Sequence, residues 1–437
     1  MAIQQLEPID PTSSQRKWPE LNGNPCSVVN RLLLDAVQHF RVNCAESKWW
    51  WKTIAPDLAI LLLEADYTFD AQVKALCFLK EFVAPNMGPR PVSIRPFWKS
   101  FMTDDYTPVE YSWKWSKGDS APDVRYSIEA ISRLAGTEVD PMNQSATINL
   151  FGQLLGAIPD LDLTSFRHFF ASLVGVNAPL PSSTIIQPLQ TTLFTAFEIG
   201  RDGSIGVKAY FVPVPSPNLT PAQQIIHAIK SFDSSKPASI QGLEAFLSND
   251  WAGKTITPIM LGIDCIHPTK SRLKIYGRSS LTSFNFVKHV MSLGGLRNPQ
   301  GSEEEQLKGL WYQVLGLPAD FPVHQELPQL DHITAGILFY FDVGPSAPIP
   351  DVKVYIPVRH YAKSDAQITR DLIEFQQRNG RGKFADGYKR VIEQLSTNCD
   401  MESGTGVHTY VTAAYTGDTL TVTSYLNPQI YHLERWS

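Results

Sequence analysis

The sequence predicts an α+β fold in which ten antiparallel strands close into a β-barrel surrounded by helices. Three observations support this prediction. Five pairs of alternating or β-branched segments follow residue 105, and a short turn joins each pair. Helical patterns separate successive pairs. Ten strands in an open sheet would leave exposed edges, which closure into a barrel removes. Because the strand pair recurs along the chain, a single domain is expected.

The chain before the first strand pair is predicted to consist of a loose terminus followed by three helices. Residues 1–20 are rich in Pro, Ser and Gln and are expected to form a loose terminus, followed by one domain over residues 21–437. Three helical patterns come next, at Val28–Val42, Ser47–Ala65 and Phe69–Val83. Pro85 closes the last pattern, since proline does not continue a helix.

The five predicted hairpins supply all ten strands. They are Pro108–Ser116 with Val124–Ser132, Thr192–Gly200 with Ile205–Val212, Thr257–Ile266 with Ser271–Gly277, Ile333–Val343 with Val352–Val358, and Thr409–Tyr415 with Thr419–Leu426. The second hairpin turns on Asp202 and Gly203, a strong signal for a tight turn. The intervening helical patterns include Ala222–Phe232, Ser280–Leu293, Ser302–Leu315, Asp365–Gln377 and Tyr388–Leu395.

Composition excludes several classes of function. The chain has 437 residues and a net charge of −5 without a run of like charge, so no nucleic-acid partner is indicated. The N-terminus lacks the pattern of a secretory signal, and no apolar run is long enough for a membrane span, so we expect a cytoplasmic protein that does not bind membranes. We expect a monomer or a homodimer. Five scattered cysteines, without zinc spacing, indicate neither disulfides nor a metal site.

Three of the second strands carry a cation followed two residues later by a tyrosine. These pairs are Lys208 with Tyr210, Lys274 with Tyr276, and Lys353 with Tyr355. Successive side chains of a strand point to opposite faces, so each cation shares a face with its tyrosine. Arg272 lies on the same face as Lys274. If the apolar faces pack on the helices, the cations and tyrosines converge inside the barrel.

A lumen lined by cations and phenol rings suits a ligand that is both an oligo-anion and a latent carbocation. Lys and Arg bind a diphosphate, and tyrosine rings shield an allylic cation through cation–π attraction. An allylic diphosphate combines the two properties. The alternative is that these strand positions face solvent, where Lys, Arg and Tyr are common. The recurrence in three equivalent strands favours the lumen.

The first hairpin adds a carboxylate and another cation. Glu110 shares a face with Ser112 and Lys114, and Arg125 lies on the return strand. A carboxylate among cations can be a salt-bridge partner. It can also accept a hydrogen bond from an aromatic N–H and so raise the electron density of the ring during attack. The spacing leaves both interpretations open.

At these residues the sequence resembles the fungal aromatic prenyltransferases of the dimethylallyltryptophan synthase family. Matching motifs include Pro85-Asn86-Met87-Gly88-Pro89, Pro108-Val109-Glu110-Tyr111-Ser112, Lys208-Ala209-Tyr210-Phe211, Arg272-Leu273-Lys274-Ile275-Tyr276, Tyr355-Ile356-Pro357-Val358 and Thr423-Ser424-Tyr425-Leu426. They span nearly the whole chain. The resemblance implies a barrel of repeated αββα units. It also implies metal-independent transfer of a dimethylallyl group from dimethylallyl diphosphate to an aromatic ring in secondary metabolism, with no cofactor.

The resemblance also implies roles for individual residues. Glu110 would hold the indole N–H. The diphosphate would be bound by Arg125, Lys208, Arg272, Lys274 and Lys353, and the cation would be shielded by Tyr210, Tyr276, Tyr355 and Tyr425. The expected acceptor is an indole, such as a tryptophan-containing cyclic dipeptide or another alkaloid precursor. A phenol, tyrosine or polyketide ring is the alternative acceptor, and a longer prenyl diphosphate is the alternative donor.

Two features depart from the family pattern. Some members carry an arginine in place of Thr416 and a glutamine in place of Lys353, so the charge around the diphosphate is rearranged. Members that alkylate the indole C4 of tryptophan have a lysine before the second hairpin, and this chain has Leu193-Phe194-Thr195 there. That difference disfavours C4 alkylation of free tryptophan.

Two further classes of function remain as alternatives. A non-catalytic barrel could carry an anionic amphiphile. A metal-dependent isoprenoid enzyme is disfavoured, because Asp104-Asp105 lacks the third acid of a diphosphate-binding cluster. His360 and His408 have no Ser or Cys partner at a recognisable spacing, and they are interpreted as rim or packing residues.

Overall fold

Ten strands of the computed structural model close into one barrel. The structure describes residues 44–175, 191–232, 238–297, 302–344, 348–416 and 419–436. Each strand pairs antiparallel with the strands before and after it in the chain, and the first strand pairs with the last. Closure leaves no strand edge exposed, as the number of strands predicted. The predicted fold class is confirmed.

The strand bounds differ from the predicted ones by a few residues. The strands are β1 Val109–Trp115, β2 Asp123–Ile128, β3 Leu193–Ile199, β4 Ile205–Phe211, β5 Thr257–Asp264, β6 Leu273–Ser279, β7 Ile337–Val343, β8 Asp351–Ile356, β9 His408–Thr416 and β10 Thr419–Leu426. All five hairpins pair as predicted. The turn at Gly417 and Asp418 lies outside the described residues.

Helices cover the outside of the barrel. They are α1 Ala45–Glu64, α2 Phe69–Phe78, α3 Ser145–Ala157, α4 Thr164–Phe169, α5 Pro221–Phe232, α6 Ala238–Asn249, α7 Phe284–Met291, α8 Glu303–Val314, α9 Val358–Tyr361, α10 Asp365–Arg378 and α11 Ala385–Leu395. The predicted pattern at Val28–Val42 and the predicted loose terminus lie outside the described residues. No helix within the described ranges is long and apolar enough to cross a lipid bilayer.

The apolar strand faces pack against these helices. On β1, Tyr111 and Trp113 are fully buried on the outer face. The Tyr111 hydroxyl donates to the carbonyl oxygen of Ile54 in α1 at 2.9 Å, and the Trp113 ring contacts Tyr388 of α11. Since side chains alternate along a strand, the intervening side chains point into the lumen. The cation and tyrosine faces therefore lie inside the barrel, as predicted.

Candidate active site

The four predicted tyrosines form a continuous set of rings in the lumen. The ring centroids of Tyr210 and Tyr276 are 6.0 Å apart, and those of Tyr276 and Tyr355 are 5.9 Å apart. Tyr355 and Tyr425 follow at 5.3 Å, with their hydroxyl oxygens 3.1 Å apart. Burial raises the pKa of each phenol, so all four are neutral. Their ring faces are available to a cation.

Three further rings extend this aromatic wall. Tyr340 of β7 lies 5.3 Å from Tyr276, Tyr410 of β9 lies 5.7 Å from Tyr355, and Phe194 of β3 stacks on Tyr210 at 4.5 Å. The sequence pattern does not single them out, because no Lys or Arg lies two residues before any of them. Tyr340 shares the inner face of β7 with Leu338 and Asp342. It pairs with Tyr276 of β6, so knowledge of the register between these strands would have identified it.

One carboxylate holds three of the five predicted diphosphate ligands. Asp264 accepts from Lys208 Nζ at 2.8 Å, Lys274 Nζ at 3.0 Å and Arg272 Nε at 3.2 Å. Burial by itself would raise the pKa of Asp264, but the charges of Lys274 and Lys208 outweigh it and hold that pKa well below its ordinary value. The carboxylate is therefore ionised, and the three cations converge on one point.

Two more carboxylates complete the charged layer. Glu198 of β3 contacts Arg125 Nη2 at 2.6 Å and Lys208 Nζ at 2.8 Å. Asp342 of β7 contacts Arg272 Nη1 at 3.2 Å. The pattern within one strand does not predict these partners, because they lie on neighbouring strands. Four of the five predicted cations, Arg125, Lys208, Arg272 and Lys274, thus lie together and contact carboxylates.

Lys353 differs from the other lumen cations. No carboxylate oxygen of the described residues lies within 4.0 Å of its ammonium, which is 5.6 Å from the Tyr340 ring centroid and 5.9 Å from that of Tyr355. Burial and the nearby charge of Arg125 lower the pKa of Lys353 to about 7. Among the five predicted diphosphate ligands, Lys353 is therefore the one that has no carboxylate contact in the described part of the chain.

Glu110 accepts a hydrogen bond from a hydroxyl group, not from a cation. Thr409 Oγ1 donates to Glu110 Oε1 at 2.6 Å, and no Lys, Arg or His nitrogen in the described part of the chain lies within 4.0 Å of the carboxylate. Burial raises the pKa of Glu110 to about 7, opposed by this bond and by the charge of Arg359. Glu110 therefore titrates near neutral pH and can bind a polar hydrogen or take up a proton.

A cluster of histidines and an aspartate lies near Glu110. The side chains of Asp104, His332 and His360 could hold a metal ion by proximity, since their ligand atoms lie within 4.8 Å of one another. Arg359 Nε, however, donates to Asp104 at 2.7 Å, and the Thr334 hydroxyl lies 2.7 Å from a ring nitrogen of each histidine. These contacts join the cluster through Thr334 and Arg359. The cluster is a hydrogen-bonded network.

Apolar side chains line the lumen beyond the tyrosines. Met102, Met260 and Leu338 are buried together with Phe194, and Phe101 packs on Phe194 at 5.6 Å. An apolar lining beside a set of ring faces fits an aromatic molecule. The lumen thus has a charged layer, an aromatic layer and an apolar layer, and Glu110 lies on its wall.

Comparisons with known proteins identify the relatives of this chain. A sequence model of the family described as tryptophan dimethylallyltransferase matches residues 46–391. The chain is 33% identical over 411 residues to prenyltransferase anuH of Penicillium roqueforti, with 90% of this chain and 91% of that protein covered. It is 33% identical over 411 residues to xanthone prenyltransferase A of Emericella nidulans, covering 87% and 91%. It is 33% identical over 402 residues to 4-O-dimethylallyl-L-tyrosine synthase of Claviceps purpurea, covering 89% of each.

The fold is similar to that of a solved protein structure. The crystal structure of AnaPT from Neosartorya fischeri superposes with a TM-score of 0.77 at 23% identity, covering 92% of this chain and 97% of that chain. At this identity the likeness concerns the fold, and it agrees with the closed ten-stranded barrel.

Proposed function

The chain belongs to the tryptophan dimethylallyltransferase family and is a prenyltransferase, and from this premise we propose that it transfers a dimethylallyl group from dimethylallyl diphosphate to a hydroxylated aromatic ring. The observation that carries the proposal is the order of layers in the lumen. Cations lie beside tyrosine rings, and the rings lie beside a carboxyl group that has no ion-pair partner among the described residues.

The donor would lie across the charged and aromatic layers. Its diphosphate would take the place of the carboxylate contacts made by Arg125, Lys208, Arg272 and Lys274, and it would also bind Lys353 beside the Tyr340 ring. The allylic C–O bond breaks and its electron pair leaves with the diphosphate, whose charge the cations stabilise. The rings of Tyr210, Tyr276, Tyr355 and Tyr425 keep water from the allylic cation. Because side-chain cations supply the charge, we propose that no metal ion is required.

The acceptor would lie against Glu110 in the apolar layer. Glu110 accepts the hydrogen of a ring O–H or N–H, which raises the electron density of the ring carbon that attacks the cation. A C–C bond forms, and the ring then loses a proton to restore aromaticity. The pKa of Glu110, raised to about 7 by burial, suits a group that first accepts a hydrogen bond and can then accept a proton.

The names of the relatives support a phenolic acceptor. Two of them are named for a xanthone and for tyrosine, which are oxygen-bearing aromatic molecules without an indole ring, and tyrosine is a phenol. An indole is the second candidate, since the family description names tryptophan and Glu110 can accept an N–H equally well. A carrier of an anionic amphiphile is not supported, because the relatives are named for transfer.

The test is incubation of the purified chain with dimethylallyl diphosphate, EDTA and matched panels of phenols and indoles, with products read by mass. A phenolic product heavier by one C5H8 unit is expected. Products from indoles alone would replace the proposed acceptor with the second candidate. Activity only when a divalent metal is restored would overturn the metal-free mechanism.

The role of Glu110 is tested by Glu110→Gln. Its kcat/KM should fall by about 100-fold or more, because the amide is a weaker acceptor and cannot take up a proton. Circular dichroism should show an unchanged fold. Glu244→Gln makes the same change at a helix-surface ion pair with Lys230 and should retain activity. Equal activity of the two variants would remove Glu110 from the mechanism.

A further inference from the structure

The bond from Thr409 to Glu110 depends on an irregularity in the barrel. Strands β9 and β10 pair Tyr410 with Tyr425, but the next pair is His408 with Leu426, so Thr409 has no partner and forms a β-bulge. A bulge re-aims the side chain of the extra residue. Thr409 is fully buried, and its hydroxyl lies 2.6 Å from Glu110 Oε1.

This contact crosses an intervening strand. Glu110 is on β1 and Thr409 is on β9, whereas β10 lies between them in the sheet. A regular strand would alternate Thr409 and Tyr410 between the two faces. Because of the bulge, Thr409 reaches the carboxyl while Tyr410 remains among the lumen rings. The bulge therefore allows the Thr409 hydroxyl to hold the Glu110 carboxyl in its position.

A buried polar clamp holds the bulge from outside the barrel. We define the clamp as Asp365, Tyr388 and His408. Asp365 at the start of α10 accepts from the backbone N–H of Val407 at 3.0 Å and of His408 at 2.9 Å, and its Oδ1 lies 2.8 Å from His408 Nδ1. The Tyr388 hydroxyl of α11 lies 2.9 Å from His408 Nε2. All three residues are buried, so these bonds are costly to break.

The clamp also contacts the strand that carries Glu110. The Tyr388 ring lies 5.7 Å from the Trp113 ring and 4.9 Å from the Trp115 ring, and both tryptophans belong to β1. One packed unit thus supports β9 through His408 and β1 through two indoles. It fixes the two strands whose inward side chains form the Thr409–Glu110 bond.

Resting on the proposed function of Glu110, we propose that Thr409 is a positioning residue for the reaction. Its hydroxyl holds one carboxylate oxygen, which leaves the other for the acceptor hydrogen, and it stabilises the ionised form that accepts that hydrogen. The clamp keeps the bulge in the register that this bond requires. Thr409 itself does not touch the reacting atoms.

Other charged and titratable groups around Glu110 set the background for this effect. The charge of Arg359 on α9 lowers the pKa of Glu110, and the charge of Asp104 in the loop before β1 raises it. Tyr425 of β10 interacts electrostatically with Glu110 and is neutral. A hydrogen bond donated to a carboxylate favours its ionised form. Loss of the Thr409 hydroxyl should therefore raise the pKa of Glu110 further.

The test compares the pH profile of kcat/KM for the wild type, Thr409→Val and Thr409→Ser. Valine matches threonine in shape but has no hydroxyl, so the acid limb of the profile should move to higher pH by about one unit. Serine keeps the hydroxyl and should restore the acid limb. Thr195→Val is the matched control, because Thr195 is a buried strand threonine whose hydroxyl donates to the Lys208 carbonyl oxygen. It should not move the acid limb.

A double variant separates this inference from the proposed function. If Thr409 acts through Glu110, Thr409→Val should not lower kcat/KM any further in a Glu110→Gln background. Additive losses, or an acid limb that stays in place in Thr409→Val, would overturn the positioning role alone. Full activity of Glu110→Gln would instead overturn the role of Glu110, whatever the threonine variants show.

Discussion

Lys353 shows how burial prepares a single side chain to bind an anion. Its ammonium lies near the rings of Tyr340 and Tyr355. Each of the other proposed diphosphate ligands contacts a carboxylate, and Lys353 contacts none among the residues that the structure describes. Burial of an unpaired ammonium favours the neutral form, which is why the pKa of Lys353 falls to about 7. A bound diphosphate would favour the charged form. Above pH 7, Lys353 should therefore take up a proton when the donor binds.

This linkage predicts the behaviour of variants at position 353. Donor affinity should weaken as pH rises from about 7 to 9 in the wild type, because the charged lysine must be regained on binding. Lys353→Gln should bind the donor about tenfold more weakly at pH 7 and lose this part of the pH dependence. Lys353→Arg, which stays charged, should bind well at both pH values.

Calorimetric titration with a thiolodiphosphate analogue, in two buffers of different ionisation enthalpy, measures the proton uptake. Protons taken up by the diphosphate itself are common to all three proteins. Equal uptake by the wild type and by Lys353→Gln would mean that Lys353 does not change charge on binding.

The sequence predicts the residues of this site better than it predicts their contacts. Lys208 and Tyr210 could be placed in the lumen because strand side chains alternate with a period of two. Glu198 and Asp342 could not be identified as partners, since cross-strand neighbours depend on register, which one strand's pattern does not specify. For the same reason the bulge at Thr409 has no signal in the sequence.

At the scale of a strand, β5 has a glycine where the aromatic layer crosses it. A Cβ atom on Gly262 would lie 2.9 Å from ring atoms of Tyr210 and 3.3 Å from a ring atom of Tyr276, closer than ordinary contacts allow. The two rings therefore pack directly on the backbone of β5. A side chain at this position would displace at least one ring from the wall around the allylic cation.

Gly262→Ala should weaken the protection of the cation from water. We expect the fraction of donor that is hydrolysed to the free alcohol, relative to the fraction transferred, to rise several-fold. Gly206→Ala on the adjacent strand is the control, because its Cβ would meet Glu198 Cβ at an ordinary 3.6 Å. Product analysis by mass gives both fractions. An unchanged partition in Gly262→Ala would show that the rings adjust without loss of shielding.

The sequence predicts the helices and strands whose apolar residues recur with a clear period, and it does not predict those whose apolar pattern is weak. All ten strands and helices such as α10 and α11 follow clear patterns. Helix α3 was missed, because Gly152 and Gly156 interrupt its apolar pattern and lower its helix propensity. It forms because tertiary packing buries Leu150 and Phe151 against the rest of the fold.

At the scale of the whole molecule, the fold buries carboxyl groups, and its free energy of unfolding depends on whether they are protonated. Glu129, just after β2, is fully buried and joins three distant segments. Its carboxyl accepts from Trp98 Nε1 at 2.6 Å, Asn143 Nδ2 at 3.1 Å and Thr191 Oγ1 at 2.8 Å. Burial nevertheless raises the pKa of Glu129 to about 7, because desolvation exceeds the effect of these bonds. Glu110 is shifted in the same direction.

A raised pKa in the folded state fixes the sign of the pH dependence. The folded protein holds a proton on Glu129 that the unfolded chain releases above about pH 4.5. The stabilisation is thus complete below that pH and is lost as pH rises through about 7, by an amount on the order of 3 kcal/mol at most. Glu129→Gln removes this titration. Its amide oxygen can still accept from Trp98 and Asn143, and its amide nitrogen can donate to the Thr191 hydroxyl.

The free energy of unfolding in urea, measured at pH 5 and pH 8, tests this prediction. Between these values the wild type should lose more stability than Glu129→Gln, so that the variant becomes relatively more stable at pH 8. Glu244→Gln, with the same change at the protein surface, should follow the wild type. Parallel losses in the wild type and Glu129→Gln would mean that Glu129 stays ionised in the folded barrel and that its hydrogen-bond donors outweigh the cost of burial. In that case Glu129→Gln should instead be less stable than the wild type at both pH values, because a charge-assisted bond to Trp98 is replaced by a neutral one.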